Sequence, residues 1–277
     1  MSESWSPRWP TRMATERSLC EREHHQRIAA LLSALDADLL ARHRCLFGGG
    51  TAIALRCGEY RLSRDIDFIV SSLDHYRELR LLVTSRGLAG LFKRPVKVLR
   101  ETRADQYGIR NAIALDGEPP VKFEIVLEAR IELDDPAPED TICGVATLTP
   151  IDMAATKLLA NSDRWPDDSV DSRDLIDLAM LLPNGRIPAR AMAKAERAYG
   201  ASIAADLAKA TERLLGRPGH LRQCMLNLGM ELPEAQVLSR IKKLRVPGAG
   251  ARAKAGSAAP AEDDGDSGPL AKRPRPG

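Results

Sequence analysis

A glycine-rich turn followed by two alternating aspartates constrains this chain more than any other feature of its sequence. The segment 47–68 reads FGGGTAIALRCGEYRLSRDIDF. Consecutive glycines permit positive φ angles and bring bare backbone N–H groups close to a ligand. A helix that opens at Thr51 would add its dipole to those N–H groups. We therefore predict that Gly49, Gly50 and Thr51 form a seat for the phosphates of a nucleotide.

The two aspartates that close this segment are predicted to project from one side of a β-strand. Asp65 and Asp67 alternate with Ile66 and Phe68, and residues two apart in a strand share a face. Carboxylate oxygens are the hard ligands that Mg²⁺ prefers in proteins. The pattern predicts a site at Asp65 and Asp67 that holds two Mg²⁺ ions.

A third carboxylate stands within a later run of strand-forming residues. Short β-branched runs occur over 96–130, separated by Asp-Gly and Pro-Pro turn signals. In the run 121–127, VKFEIVL, Glu124 is surrounded by apolar residues. Buried carboxylates are rare unless they are paired or metal-bound. Glu124 is therefore either a ligand or an edge-strand residue that alternates outward with Lys122.

Composition excludes several classes of protein. There is no run of eighteen apolar residues, so no transmembrane helix is expected, and the N-terminal segment lacks the apolar core of a secretory signal. Five scattered cysteines form no CxxC pair, which favours reduced thiols in the cytoplasm over a disulfide framework or a zinc site.

Periodicity and composition divide the chain into four parts. We predict a flexible leader over 1–12, an α/β domain over 13–148, a helical lobe over 149–245 and a disordered Ala/Gly/Pro-rich tail over 246–277. Residues 186–245 contain twelve Lys or Arg against five Asp or Glu. This excess suits a polyanionic substrate such as RNA, although a solvated helical surface would show it too.

Two helices are predicted in the first domain, the first from apolar spacing and the second from the residues at its ends. One is expected from about residue 14 to 44, with His24, His25 and His43 exposed and without a metal role, since no spaced Cys or carboxylate partners accompany them. The second is expected over 74–86, capped by the aspartate at its start and closed by a glycine.

Two helices of the second half carry polar side chains at regular intervals. Thr149 is predicted to cap the first, with proline at its first position, and Lys157, Asn161 and Arg164 then share one face. After a loop over 165–171, a second helix carries Arg173, Asp174 and Asp177. For either helix alone, surface ion pairs at i, i+4 spacing would be the default interpretation.

Together, GGTAIAL…RLSRDIDF and MAATKLLANSDR…SRDLIDLAMLL resemble the AbiEii/AbiGii family, the nucleotidyltransferase toxins of bacterial abortive-infection and toxin–antitoxin pairs. The resemblance covers roughly residues 45–182. It implies an α/β fold in which helices flank a nucleotidyltransferase-type mixed sheet, followed by a helical C-terminal lobe. It also implies Mg²⁺-dependent transfer of a nucleoside monophosphate from an NTP to a hydroxyl group, without a His or Cys nucleophile.

The resemblance further implies roles for individual residues. A third metal ligand is expected from a later strand, where Glu124 fits and Glu128 is the rival. Lys157 is expected to contact the nucleotide phosphates and Asp174 to belong to the active site, with Arg173 and Asp177 orienting it. Arg173 and Ser63 are placed with the nucleotide-binding residues. Apart from the resemblance, the position of Ser63 two residues before Asp65 suggests that a phosphate on its hydroxyl would bring nearly two negative charges beside the metal site and inactivate it.

The resemblance implies tRNA as the acceptor, at its 3′ end, and a separately encoded antitoxin that need not form a stable complex. A protein or small-molecule hydroxyl as acceptor remains an alternative. So does a non-catalytic NTP- or RNA-binding module on the same fold.

Overall fold

Six strands form a mixed sheet at the centre of the protein. The computed structural model describes residues 20–247, and its sheet has the order β1-β2-β6-β5-β3, with β4 also paired to β5. β2 and β6 run parallel, whereas the other pairs are antiparallel. The strands are β1 (Leu46–Gly48), β2 (Asp65–Val70), β3 (Lys97–Val98), β4 (Arg103–Ala104), β5 (Gly108–Ala114) and β6 (Val121–Leu127), and a separate hairpin contains β7 (Thr141–Ile142) and β8 (Val145–Ala146).

Helices flank the sheet and make up the second half of the described chain. They are α1 (Glu23–Leu32), α2 (Ala37–Arg42), α3 (Gly49–Arg56), α4 (Leu73–Arg86), α5 (Pro150–Arg164), α6 (Arg173–Leu181), α7 (Ala189–Tyr199), α8 (Ser202–Leu215), α9 (His220–Asn227) and α10 (Glu234–Lys243). Short 3-10 turns occupy Leu88–Leu91 and Asp168–Val170. The α/β architecture with a helical lobe confirms the predicted fold class.

The alternation of side chains in β2 separates the core from the functional face. Ile66, Phe68 and Val70 are fully buried on one side of this strand. The rings of Phe47 and Phe123 lie 5.6 and 5.8 Å from that of Phe68, measured between centroids. Side chains two residues apart share a face, so the aspartates of β2 point away from this aromatic stack.

A single buried apolar cluster joins the sheet to the helical lobe. It extends along the chain from Ile28 in α1 to Ile241 in α10.

The start of α5 matches its prediction, because the Thr149 hydroxyl accepts a hydrogen bond from the backbone N–H of Asp152 and Pro150 is the first helical residue. These two residues fix where α5 begins.

The long helix predicted over 14–44 is wrong as a single element. Among described residues the chain leaves α1 after Leu32, and Leu35 forms an isolated bridge with Phe92. Asp36 then accepts a hydrogen bond from the N–H of Leu39 and starts α2. A capping aspartate inside an apolar-periodic run therefore breaks the helix, which period alone does not reveal.

The cap predicted for α4 is displaced by two residues. The side chain of Ser72 accepts the hydrogen bond from His75 N, and Asp74 lies inside the first turn. Gly87 ends the helix with a φ of 73°, as predicted.

The predicted leader over 1–12 and nearly all of the predicted tail lie outside the described residues. No helix within residues 20–247 has the length and apolar character needed to cross a membrane.

Candidate active site

A cavity of about 550 Å³ lies where the polar face of the sheet meets the helical lobe. β2 and β6 contribute its acidic wall, and the approach to β2, α5 and the start of α6 contribute its basic wall. The acidic wall contains Asp65, Asp67, Glu124 and Glu128. The basic wall contains Arg61, Lys157, Arg164 and Arg173. The cavity thus brings together most of the residues that the sequence singled out.

The glycine turn lies against the acidic wall with no spare room. α3 begins at Gly49, two residues earlier than expected, and Gly49 has a φ of +67°. A Cβ atom there would collide with the Asp67 carboxylate and lie 2.9 Å from the Cβ of Asp67. A Cβ atom at Gly50 would collide with the guanidinium of Arg61. Gly49 therefore excludes a side chain, whereas a side chain at Gly50 would have to displace the guanidinium of Arg61 from its position against Asp177. Both glycines line the cavity.

Thr51 lies beneath the turn instead of on the cavity wall. It is fully buried, and its hydroxyl is 2.5 Å from the carbonyl oxygen of Asp65 and 2.8 Å from the hydroxyl of Ser63. Ser63 itself is on the wall and only 9% exposed. Thr51 is therefore placed to hold α3 against the start of β2, rather than to contact a phosphate directly.

The acidic wall is a row of facing residues on neighbouring strands. The parallel register of β2 and β6 sets Asp67 opposite Glu124 and Asp65 opposite Lys122. Burial, together with the negative charges of Asp65 and Glu124, raises the pKa of Asp67 to about 6. The edge-strand alternative for Glu124 is wrong, because β6 lies between β2 and β5.

Both oxygens of Glu124 have cationic partners. Lys122 Nζ lies 2.9 Å from Oε2, and Arg110 Nε from β5 lies 3.2 Å from Oε1. Glu128 is held by Arg130 instead, at 2.6 Å. Glu124 is the carboxylate directly opposite Asp67, which favours it over Glu128 as the third ligand.

These carboxylates fit a divalent cation by their chemistry. Within residues 20–247 no three acidic, histidine or cysteine side chains are already grouped as a metal site. However, Asp65, Asp67 and Glu124 share one face, and the pKa of Asp67 is raised by its burial and by the negative charges of Asp65 and Glu124. Such clustered carboxylates are stabilised by a bound cation.

A chain of buried ion pairs positions the basic wall. Asp177 is fully buried and accepts hydrogen bonds from the Tyr60 hydroxyl at 2.5 Å and from Arg61 Nε at 2.6 Å and Nη2 at 2.9 Å. Lys157 Nζ lies 2.6 Å from the second oxygen of Asp177. Burial would raise the pKa of Asp177, but the charges of Arg61 and Lys157 hold it below its usual value.

Asp174 continues this chain on the other side of Lys157. It accepts hydrogen bonds from Lys157 Nζ at 2.9 Å and from Arg164 Nε at 2.6 Å, and it is 2% exposed. Against the effect of burial, these cations hold the pKa of Asp174 well below its usual range. Asp174 is not among the residues that line the cavity. It is placed to orient Lys157 and Arg164, whereas Arg173 reaches the wall itself.

The prediction that His25 is exposed is wrong. Its side chain is fully buried, with Nδ1 2.7 Å from Glu59 Oε1, and its Nε2 accepts a hydrogen bond from Ser63 N at 3.1 Å. Because Nε2 accepts this hydrogen bond, the ring nitrogen that can donate is Nδ1, which faces the carboxylate of Glu59. This contact ties α1 to the segment that leads into β2.

Several wall residues had no part in the sequence prediction. Arg61 lies in the basic stretch before Asp65, and its spacing gives no sign that it faces a distant aspartate. Arg130, Asp163 and Asn227 also line the cavity. They come from three separate segments of the chain, so only the folded structure brings them together.

Replacing Gly49 by alanine is expected to impair both folding and the site. A non-glycine residue at positive φ costs about 1–2 kcal/mol, and the added Cβ must also displace Asp67. Gly117→Ala is the matched control, because Gly117 has a φ of +76° and no atom within 4 Å of an added Cβ. Both variants should lower the free energy of unfolding in urea, but only Gly49→Ala should lose divalent-cation binding. Equal cation binding by the two variants would contradict this assignment.

Comparisons with known proteins relate this chain to one protein family and to several solved structures. The family model described as "Nucleotidyl transferase AbiEii toxin, Type IV TA system" matches residues 30–247. JHP933 from Helicobacter pylori superposes with a TM-score of 0.43 at 16% identity, covering 80% of this chain and 91% of that one. MenT4, a nucleotidyltransferase toxin from Mycobacterium tuberculosis H37Rv, superposes with a TM-score of 0.41 at 18% identity, covering 84% and 88%. The comparison with curated protein sequences gave no match.

Proposed function

Because the chain belongs to the AbiEii family of nucleotidyltransferase toxins from type IV toxin–antitoxin systems, we propose that it transfers a nucleoside monophosphate from an NTP to the 3′ acceptor end of tRNA. One observation carries the proposal. A single cavity has two facing carboxylates on one wall, buried cations on the other and a glycine turn between them. Nucleotidyl transfer needs these three elements, namely metal ligands, a cationic seat for the triphosphate and bare backbone N–H groups.

In the proposed reaction the oxygen of the acceptor hydroxyl forms a bond to the α-phosphorus. The bond from that phosphorus to the bridging oxygen breaks, pyrophosphate leaves with the electron pair, and the hydroxyl proton passes to solvent. Asp65, Asp67 and Glu124 would hold divalent cations, two Mg²⁺ ions in this proposal. Such ions activate the acceptor hydroxyl and neutralise the leaving group.

The residues of the chain position the triphosphate. The N–H groups at the start of α3, at Gly49 and Gly50, provide an anion seat beside Asp67. Lys157 and Arg61 are fixed by Asp177, so their positive charges are already oriented when a nucleotide enters. Preorganised charges lose little energy to reorganisation during the reaction.

The choice of tRNA as acceptor rests on the family and on charge. The helices over 186–245 have twelve basic against five acidic residues, and this excess supports a polyanionic acceptor. Type IV membership implies a separately encoded antitoxin. Action in the cytoplasm, without a stable complex between toxin and antitoxin, is part of the proposal.

The test is to incubate the purified protein with total tRNA, Mg²⁺ and each α-³²P-labelled NTP in turn, beside Asp65→Ala. Label in tRNA with the wild type alone would support the reaction class, the donor and the role of Asp65 together. Bound NTP without label in tRNA would reject tRNA and lead to protein or small-molecule acceptors. No NTP binding would overturn the proposed chemistry.

Lys122→Met is expected to tighten binding of Mn²⁺ in the absence of nucleotide. Lys122 pairs with Glu124 at 2.9 Å on a half-exposed surface, so it competes with a cation for that carboxylate. Exposed pairs are worth up to about 1 kcal/mol, which predicts at most about fivefold tighter binding by calorimetry. Lys97→Met removes an exposed lysine of the same sheet, paired with Asp116, and should leave the affinity unchanged. Weaker binding to Lys122→Met would argue against Glu124 as a ligand.

A further inference from the structure

The guanidinium of Arg130 lies on the cavity wall with every nitrogen engaged. Nε lies 2.8 Å from Glu128 Oε1 and Nη2 lies 2.6 Å from Glu128 Oε2. Nη1 lies 3.2 Å from Asp163 Oδ2 and also contacts the hydroxyl of Tyr199. Glu128, Asp163 and Tyr199 thus hold the edge of this planar group from three separate elements. Little donor capacity is left for a phosphate.

What remains for a ligand is the planar face of the guanidinium that is turned away from Tyr199. Its Cζ atom lies over the ring of Tyr199, 5.2 Å from the ring centroid. The Arg130 side chain is 38% exposed and borders the cavity. A guanidinium held flat in this way stacks well on planar heteroaromatic rings, including nucleobases.

Other arginines of the wall differ from Arg130. Arg61 also has every nitrogen engaged, by Asp177 and by the carbonyl oxygen of Leu62, and its Cζ lies 6.0 Å from the ring centroid of Tyr60. Its side chain is only 4% exposed, so its planar faces are closed to a ligand. For the side chains of Arg64 and Arg173, the described part of the chain offers no hydrogen-bond or ion-pair partner, so their edges are open to phosphate oxygens. The described wall contains no Phe, Tyr or Trp. Arg164 is partly exposed and bound through two nitrogens by Asp174, but the described residues place no aromatic ring against its guanidinium. Arg130 is therefore the exposed arginine of this wall that combines a fully engaged edge with a neighbouring aromatic ring.

The position of Arg130 fits the length of a nucleotide. Its partner Asp163 comes six residues after Lys157 on α5, which corresponds to about 9 Å along the helix axis. Its other partner Glu128 comes four residues after Glu124, about 13 Å along an extended chain. A nucleotide with its phosphates beside Lys157 and the acidic wall would reach Arg130 with its base.

We propose that Arg130 and Tyr199 form a stacking platform for a nucleobase. The proposal rests on the proposed function, since it assumes that a nucleotide occupies the cavity. The base belongs either to the NTP or to the terminal nucleotide of the acceptor, and the two arms of the test distinguish these sources. Arg130 positions the nucleotide through the planar face of its guanidinium, because the positive charge and the N–H donors of this group are already paired with Glu128 and Asp163.

The first arm compares two ligands with identical phosphates, each measured by calorimetry with Mg²⁺. One is an NTP, with ATP, CTP, GTP and UTP used in turn, and the other is ribose 5-triphosphate, which lacks a base. Stacking of a base on a planar side chain predicts a preference of about tenfold or more for at least one NTP. Arg130→Lys keeps the charge but removes the plane. It should reduce that preference to near unity and leave the affinity for ribose 5-triphosphate within about twofold.

The second arm makes the same comparison for the acceptor. RNA oligonucleotides with an intact or an abasic 3′-terminal nucleotide are measured for binding to the wild type and to Arg130→Lys. Arg190→Lys is the control, because Arg190 is an exposed residue of α7 that pairs with Asp134 and does not border the cavity. Tyr199→Leu removes the supporting ring and provides a second variant in case Arg130→Lys does not fold.

Loss of base preference in the first arm assigns the platform to the NTP, and loss in the second assigns it to the acceptor. A preference retained in both arms by Arg130→Lys and by Tyr199→Leu would overturn the proposal, as would a wild type that prefers neither base-bearing ligand. A wild type that binds no Mg²⁺-NTP at all would instead reject the proposed function. The two failures are therefore distinguishable, and a purely structural role for Arg130 would not change the ratio of affinities.

Discussion

Replacing Asp67 by asparagine should lower the rate of nucleotidyl transfer about 10³-fold, since a bound cation contributes several kcal/mol at the transition state and each 1.36 kcal/mol is a factor of ten. The same change should leave the free energy of unfolding unchanged or raise it. Asp67 is half-buried beside Asp65 and opposite Glu124, and its raised pKa shows that its charge is disfavoured in the folded protein. Asparagine keeps the shape and removes that repulsion.

The measurement combines single-turnover transfer with urea unfolding of the metal-free protein. Asp116→Asn is a suitable control, because Asp116 is an exposed aspartate that pairs with Lys97 at the far side of the sheet. It should change neither quantity appreciably. If Asp67→Asn retained activity, Asp67 could not be a cation ligand. If it unfolded much more readily, the carboxylate would have a structural role that the contacts do not show.

Asp177→Ala is expected to have the largest effect on stability. The change leaves the cations of Arg61 and Lys157 buried without their shared partner, together with the Tyr60 hydroxyl. Removing one member of a buried ion pair costs about 3–5 kcal/mol. The free energy of unfolding in urea should fall by that amount, and transfer activity should fall as well, because Lys157 and Arg61 lose their orientation.

A control at the surface isolates burial as the cause. Asp38 pairs with Lys93 at 2.8 Å and is exposed, so Asp38→Ala should barely move the urea midpoint. Asp177→Asn should lie between the wild type and Asp177→Ala, since the amide oxygen can still accept one hydrogen bond. Equal stability of the buried and surface variants would show that the ion chain is not required for the fold.

Local signals in the sequence were enough to predict most elements. The Thr149 cap, the Gly87 stop and the alternation in β2 depend on neighbouring residues, and each occurs where it was expected. The break at Asp36 was missed because the apolar period continues through it. Strand order could not be predicted, since the parallel pairing of β2 with β6 joins segments more than fifty residues apart.

The candidate site likewise has parts that local sequence signals reveal and parts that only long-range contacts create. The glycine turn and the paired aspartates are contiguous motifs, and the sequence revealed both. The roles of Asp174 and Asp177 could only be given as resemblance, because the ion chain forms between the approach to β2, α5 and α6. His25 has no local signal for burial, and its partners Glu59 and Ser63 lie more than thirty residues away.

The tight fit of Gly49 against Asp67 has a genetic consequence. A glycine codon becomes an alanine codon, and an aspartate codon an asparagine codon, through a change of one base. In cells that produce this toxin without its antitoxin, survivors carrying point mutations in the toxin gene should therefore be enriched at codons 49, 67 and 177. Because the site is packed this tightly, many single-base changes in the gene are expected to inactivate the protein.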